Sequence, residues 1–186
     1  MQPSLPRIIT VSGKIATGTT TLAKNLARIL HWEYFNAGDM QRTYDREHKI
    51  HENMQGAASR PDQHEKEIDT HTKKILSEQK NLVYEAWLSG FMAQDITNVF
   101  KILIICSNDA IRIDRVVNRE NIKVDQAKEW IRNREEENIS KWKKLYGDHD
   151  FWDPQYYDLV IDTYSSGRME TMGKVLDKIG FHIDLK

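Results

Sequence analysis

Residues 11–30, VSGKIATGTTTLAKNLARIL, set two glycines five positions apart between a β-branched apolar run and a helix-forming one. Residues 7–13, RIITVSG, are short, apolar and end at glycine, the pattern of a buried parallel strand. From Thr19 to Leu30, the residues Leu22, Ala23, Leu26, Ala27 and Leu30 share one helical face. A strand joined to a helix through G-x-x-x-x-G constrains the chain more than any other feature. The glycines let the main chain curl with successive N–H groups pointing inward, and the helix N-terminus adds partial positive charge. Such a turn is built to hold phosphate oxygens.

The loop departs from the usual pattern at one place. Thr19 follows the second glycine where lysine is expected. That lysine ordinarily bridges the β- and γ-phosphates and follows charge as it develops during transfer. Thr19 offers a hydroxyl and no charge. Lys14, directly after Gly13, lies in the same loop and is expected to bend over it toward the phosphates; some nucleotide-binding families use a lysine at this second position. Thr20 keeps the hydroxyl whose usual task is to ligate Mg²⁺. Gly13, Lys14, Ile15, Ala16, Thr17, Gly18, Thr19, Thr20 and Thr21 therefore form the candidate ATP-binding segment. The plainer alternative is a strand-to-helix turn with Lys14 in solvent.

Further strands are expected at Glu33–Asn36, 81–87, 99–106 and 158–163. Helices are expected over 62–80, 108–120, Val124–Tyr146 and 167–179, with Ser107 or Asn108 capping the second of these. Residues 37–51 read as loop and then helix, and 55–61 as loop. This alternation implies an α/β fold with a parallel sheet and helices on both faces. No repeat or linker divides the 186 residues, which suit one domain. The polar stretches 40–80 and 115–147 are placed to project over the C-terminal edge of the sheet, where ligands bind in this architecture.

Composition excludes several classes. A net charge of −1 argues against a broad basic surface for nucleic acid. No apolar stretch approaches ~20 residues, so no membrane span is expected, and MQPSLP lacks the features of a secretory signal and reads as a short lead-in. The single cysteine, Cys106, forms no internal disulfide and lies in the apolar run KILIIC, so it reads as a packed thiol in a cytoplasmic protein. The seven histidines have no metal-ligand spacing, and His48, His51 and His64 read as surface.

The stretches ITVSGKIATGTTTLAKNLA, AGDMQR, EIDTHTKKIL, LVYEAWLSGFMA, RIDRVVNREN, REEENISKWKKLYG and YYDLVIDT occur in an order that resembles the nucleoside monophosphate kinases, and among them the short archaeal-type cytidylate kinases and cytidylate kinase-like P-loop proteins. The resemblance covers nearly the whole chain. It implies a five-stranded parallel P-loop fold with a core of about 7–36, 81–112 and 156–186, a monophosphate-binding segment of about 37–80 and a lid of about 113–150. It implies transfer of a phosphoryl group from ATP to CMP or dCMP with Mg²⁺ as cofactor, in a monomer or homodimer. Members of this branch also carry G-T-T in the loop.

Site residues carry over unevenly. GDMQR matches a G-D-x-x-R segment whose arginine grips the acceptor phosphate, giving Gly38, Asp39 and Arg42. Asp69 matches the acidic position on the helix covering the acceptor. Glu85 fits the end of the third strand, to hold Mg²⁺ through water or orient the acceptor. Trp87 stands where the resemblance places a second arginine; it stacks on a base or packs in the core, and packing is the preferred reading. Arg115, Arg119 and Arg134 are the candidates to close over the transferring group, since guanidinium is permanently charged and bidentate. Arg112, Arg115 and Arg119 share one helical face, and Arg134 interrupts the apolar stripe of Ala127, Ile131, Trp142, Leu145 and Tyr146. The bland alternative is a charged surface pairing these arginines with Asp114, Glu120, Glu135, Glu136 and Glu137. Lys141, Lys143 and Lys144 are expected to face solvent. The losses at Thr19 and Trp87 keep a second possibility open, a nucleotide-binding regulator without efficient transfer, and a third, a kinase for another small acceptor.

Overall fold

Five short segments pair in parallel; two interior ones, IITVS and LVYE, are buried at every position, whereas EYFN and LVID at the sheet edges are only partly covered. In the computed structural model, which describes residues 5–51, 53 and 56–181, the five are β1 (Ile8–Ser12), β2 (Glu33–Asn36), β3 (Leu82–Glu85), β4 (Val99–Ile105) and β5 (Leu159–Asp162). The sheet order is β2-β3-β1-β4-β5. The order reverses about β1, so a crevice opens at its C-terminal end, the usual place for a ligand in an open parallel sheet. The register sets Val11 beside Glu85 and Glu85 beside Asn36, and so aligns three strand ends at that crevice.

Seven α-helices accompany these strands among the described residues, with a 3-10 turn at Pro154–Tyr156: α1 (Thr19–Leu30), α2 (Ala37–Glu47), α3 (Asp62–Glu78), α4 (Ser89–Met92), α5 (Asp109–Glu120), α6 (Val124–Tyr146) and α7 (Arg168–Lys178). The apolar face read for α1 is the buried one and packs with α7 on one side of the sheet, against Ile9, Val11, Val83, Ile102 and Ile104. On the other side Leu76 of α3 meets Ile8, Leu82, Tyr84 and Val99. Two smaller clusters carry the remaining elements: Ile15, Val116, Ala127 and Ile131 beneath α5 and α6, and an aromatic group around Leu103, Trp142, Phe151 and Trp152.

The expected strands and long helices are present, with ends shifted by a few residues. Asn108 is the cap of α5, accepting from the Ala110 and Ile111 amides. Three details differ. No loop precedes α2, because the Asn36 side chain accepts from the Gly38 amide and starts the helix at Ala37. The four-residue α4 is too short to show any period. Lys141 does not face solvent: its side chain is 11% exposed, its ammonium lies 2.6 Å from Asp62 and it donates to the Arg60 carbonyl, pinning α6 to α3. Lys143 and Lys144 are exposed as expected, at 46% and 69%. The expected lead-in falls largely on residues 1–4, and the start of the expected loop 55–61 on residue 55, outside the described residues. No helix among the described residues is long and apolar enough to cross a membrane.

Candidate active site

The turn after β1 requires glycine at two positions. A Cβ on Gly13 would lie 2.5 Å from the Ile104 carbonyl oxygen and 2.6 Å from the Thr17 hydroxyl, and Gly18 sits at φ 107°. Ala16 is also left-handed, at φ 60°. Such a backbone persists only where its surroundings hold it, and Arg115 does so. Its guanidinium donates to the carbonyls of Ala16 (3.0 Å) and Thr17 (3.2 Å) and to the Thr163 hydroxyl and carbonyl. The Thr163 hydroxyl donates to the Thr17 carbonyl at 2.7 Å. A trans peptide points its N–H opposite to its C=O, so fixing the Thr17 carbonyl turns the Gly18 N–H away from Arg115. No side chain caps α1, which leaves its first-turn N–H groups for a ligand.

Glu85, at the end of β3, is buried and gathers four donors. The hydroxyls of Thr19 (2.8 Å) and Thr20 (2.6 Å) reach one oxygen; the Tyr34 hydroxyl (2.5 Å) and the Asn36 amide (3.1 Å) reach the other. Burial and the bond to Glu85 push the Tyr34 phenol well above its ordinary range. All four partners are neutral. A buried carboxylate without a cation is costly, and its oxygens together with the Thr20 hydroxyl make a hard-donor set that fits Mg²⁺, which binds through one or two carboxylates plus substrate phosphates. Among the described residues no three His, Cys, Asp or Glu side chains gather into a metal centre of their own.

Beyond Glu85 lies an acidic wall on α3. Asp69 is raised to about 7, first by burial and then by Glu65. Burial also raises Glu65, against the pull of Arg60. Arg60 forms a bidentate buried pair with Asp45, at 2.8 and 2.6 Å, which ties α2 to the segment before α3. Asp69 Oδ2 and Asn138 Oδ1 are buried and accept no hydrogen bond. One turn before Asn138 on α6, the Arg134 guanidinium lies 5.7 Å over Trp87, and it donates to Asn53 at 3.3 Å. Near the cleft rim Arg42 reaches back to Asp39 at 2.5 Å.

These features share one cleft of about 970 Å³. Gly13, Lys14, Ile15, Ala16, Gly18, Thr19, Thr20, Thr21, Gly38, Asp39, Arg42, Asp69, Glu85, Trp87, Arg115, Arg119 and Arg134 all line it. Thr17 does not; it is buried and donates to the Lys14 carbonyl within the loop. Lys14 rests its ammonium 4.9 Å above Trp152. Arg119 pairs with Glu120 and is half exposed. Arg112 turns inward to the Ile15 carbonyl and to Asp109 and Glu135. Trp87 is half buried, packed on both aromatic and apolar clusters, and also borders the cleft. His64 is half buried rather than superficial, stacked at 3.7 Å on Tyr44. Sequence reading missed Tyr34, Asn36, Glu65, Asn138 and Thr163. Only Asn36 carried a signal, as a helix cap ahead of AGD.

Residues 8–165 match the cytidylate kinase-like family. The cytidylate kinase of Haloarcula marismortui is 34% identical over 157 residues, covering 84% of this chain and 80% of that protein. The cytidylate kinase of Pyrococcus abyssi is 34% identical over 157 residues, covering 84% of each chain. Among solved structures, a gluconokinase from Sinorhizobium meliloti superposes with a TM-score of 0.61 at 10% identity, over 94% of this chain and 92% of that one. A shikimate kinase from Acinetobacter baumannii gives 0.55 at 14% identity, over 95% and 94%. At such identities these two report the P-loop fold alone.

Proposed function

The chain belongs to the cytidylate kinase-like family, which makes it a kinase, and we propose that it transfers the γ-phosphoryl group of ATP to CMP or dCMP, yielding ADP and the diphosphate. The observation that carries this reading is that the glycine loop, Glu85 and the acidic residues Glu65 and Asp69 of α3 all line one cleft; the reading takes them as donor site, metal-binding carboxylate and acceptor site.

In this reading the amides of Gly13–Thr21 hold the donor phosphates, with residues 37–80 as the acceptor segment and 113–150 as the lid. Arg115 keeps the loop carbonyls turned outward. Thr20 and Glu85 would hold Mg²⁺, which neutralises phosphate charge when bound. Thr19 lends its hydroxyl to Glu85, and Lys14 supplies the cation that the loop lacks after Gly18. Arg42 exchanges Asp39 for the acceptor phosphate, a better bidentate partner. Arg119 and Arg134 close over the transferring group, whose charge spreads over its equatorial oxygens. Asp69 Oδ2 and Asn138 Oδ1 are acceptors in want of donors; the exocyclic amine of cytosine supplies one, whereas the uracil carbonyl at that position supplies none. Leaving buried acceptors unpaired is what makes such a site selective.

The test is steady-state kinetics with ATP, Mg²⁺ and a panel of nucleoside monophosphates, read by product identity. The expected result is CDP or dCDP, with kcat/KM for the cytosine nucleotides at least about tenfold above UMP, AMP and GMP. Nucleotide binding with no diphosphate from any acceptor would identify a regulator instead.

A further inference from the structure

Three tryptophans from separate parts of the chain meet beside the donor loop. Trp87, after β3, lies 5.6 Å from Trp142 of α6 and 6.3 Å from Trp152, and Trp142 lies 6.2 Å from Trp152; all three ring pairs are steeply inclined. Two cations rest on this group. The Lys14 ammonium sits 4.9 Å above the Trp152 ring, and the Arg134 guanidinium 5.7 Å above Trp87. Among the described residues no carboxylate pairs with Lys14. Trp152 is itself fixed: it is 9% exposed, inclined against Phe151, and its backbone N–H donates to Asp150 at 3.1 Å.

An indole face attracts an ammonium without neutralising it. An ion pair would leave a carboxylate competing with phosphate for the charge, and a bare lysine would spread over many rotamers. A π-face does neither. It narrows the conformers of Lys14 and yields the ammonium readily to a polyphosphate, whose attraction is far larger. We propose that Trp152 is a positioning residue for Lys14, holding its ammonium beside the phosphate loop before the donor arrives. This inference rests on the donor role given to Lys14 above. The ring packs in the same cluster as Trp142 of α6.

A double-substitution cycle tests it. Trp152→Leu should lower kcat/KM for ATP about fivefold, and Trp152→Phe, which keeps a π-face, should stay within about twofold of the parent. In a Lys14→Met background, Trp152→Leu should cost nothing more. An equal loss in both backgrounds would overturn the proposal, since a merely structural ring would act whether or not Lys14 is present. Tryptophan emission gives a readout independent of turnover: Lys14→Met should change it in the parent and leave it unchanged when residue 152 is Phe. An emission change that persists in the Trp152→Phe protein, or none in the parent, overturns the proposal as well. Should the parent phosphorylate no acceptor at all, the kinase reading fails by itself, and the emission cycle still decides the role of Trp152.

Discussion

The Thr20 hydroxyl donates to Glu85 across 2.6 Å, joining the first turn of α1 to the end of β3 over a sequence separation of 65. Thr19 reaches the same oxygen. The carboxylate thus ties the loop to β3 and, in the proposed reading, would supply the negative charge that Mg²⁺ requires. Glu85→Gln keeps the size, removes that charge and sets an NH₂ group against other donors. It should lower kcat by about a hundredfold and raise the Mg²⁺ concentration needed for half-maximal rate. A Mg²⁺ dependence identical to the parent would remove Glu85 from the metal site.

Asp69 gives a stability signature whose sign is fixed. Its folded value of about 7 exceeds the ordinary 3.8, because burial and Glu65 disfavour the charged form. Between about pH 4 and pH 7 the folded chain therefore holds more protons than the unfolded one, and this group's effect on stability worsens as pH rises through that window. Asp69→Asn removes the titration. It should stabilise the chain at pH 8, by at most ~4 kcal/mol, and change little at pH 4. Urea midpoints at the two values check this; equal shifts at both would contradict it.

Arg115 is placed to act on the donor loop. Arg115→Met deletes four donated bonds, two of them to Ala16 and Thr17, and leaves the left-handed Ala16 backbone without its brace. The KM for ATP should rise about tenfold, with the acceptor KM within about twofold of the parent. A fall in kcat at unchanged KM for ATP would assign the guanidinium to the transfer step instead.

Gly13 faces a backbone atom that cannot step aside. Gly13→Ala would set a methyl 2.5 Å from the Ile104 carbonyl oxygen, forcing β1 and β4 apart at the crevice. It should cost about 3 kcal/mol of stability and weaken binding of an ATP analogue. Thermal melting and calorimetry read the two effects separately, and an unchanged melting temperature would contradict the close approach.

What the sequence displayed was local. The glycine spacing, the apolar face of α1 and the Asn108 cap are written within a dozen residues, so strand, loop and helix were legible there. Glu85 and Arg42 were singled out by resemblance alone, and both line the cleft. The partners that give Glu85 its setting, Tyr34 and Asn36, lie about fifty positions away, and no periodicity encodes such pairing. Lys141 failed as a solvent residue for the same reason: Asp62, 79 positions earlier, faces it only after α3 and α6 pack. Arg112 shared a helical face with Arg115 in the sequence, but the loop carbonyl of Ile15 draws it inward.

The most direct test uses ATP labelled at the γ-phosphorus, mixed with CMP, Mg²⁺ and enzyme in excess over nucleotide. Label should pass to CDP in a single turnover, with almost none released as inorganic phosphate, and the transfer should slow by orders of magnitude in Lys14→Met. Label that stays in ATP, or that appears only as inorganic phosphate whether or not CMP is present, would contradict the central claim that this cleft moves a phosphoryl group from one nucleotide to another.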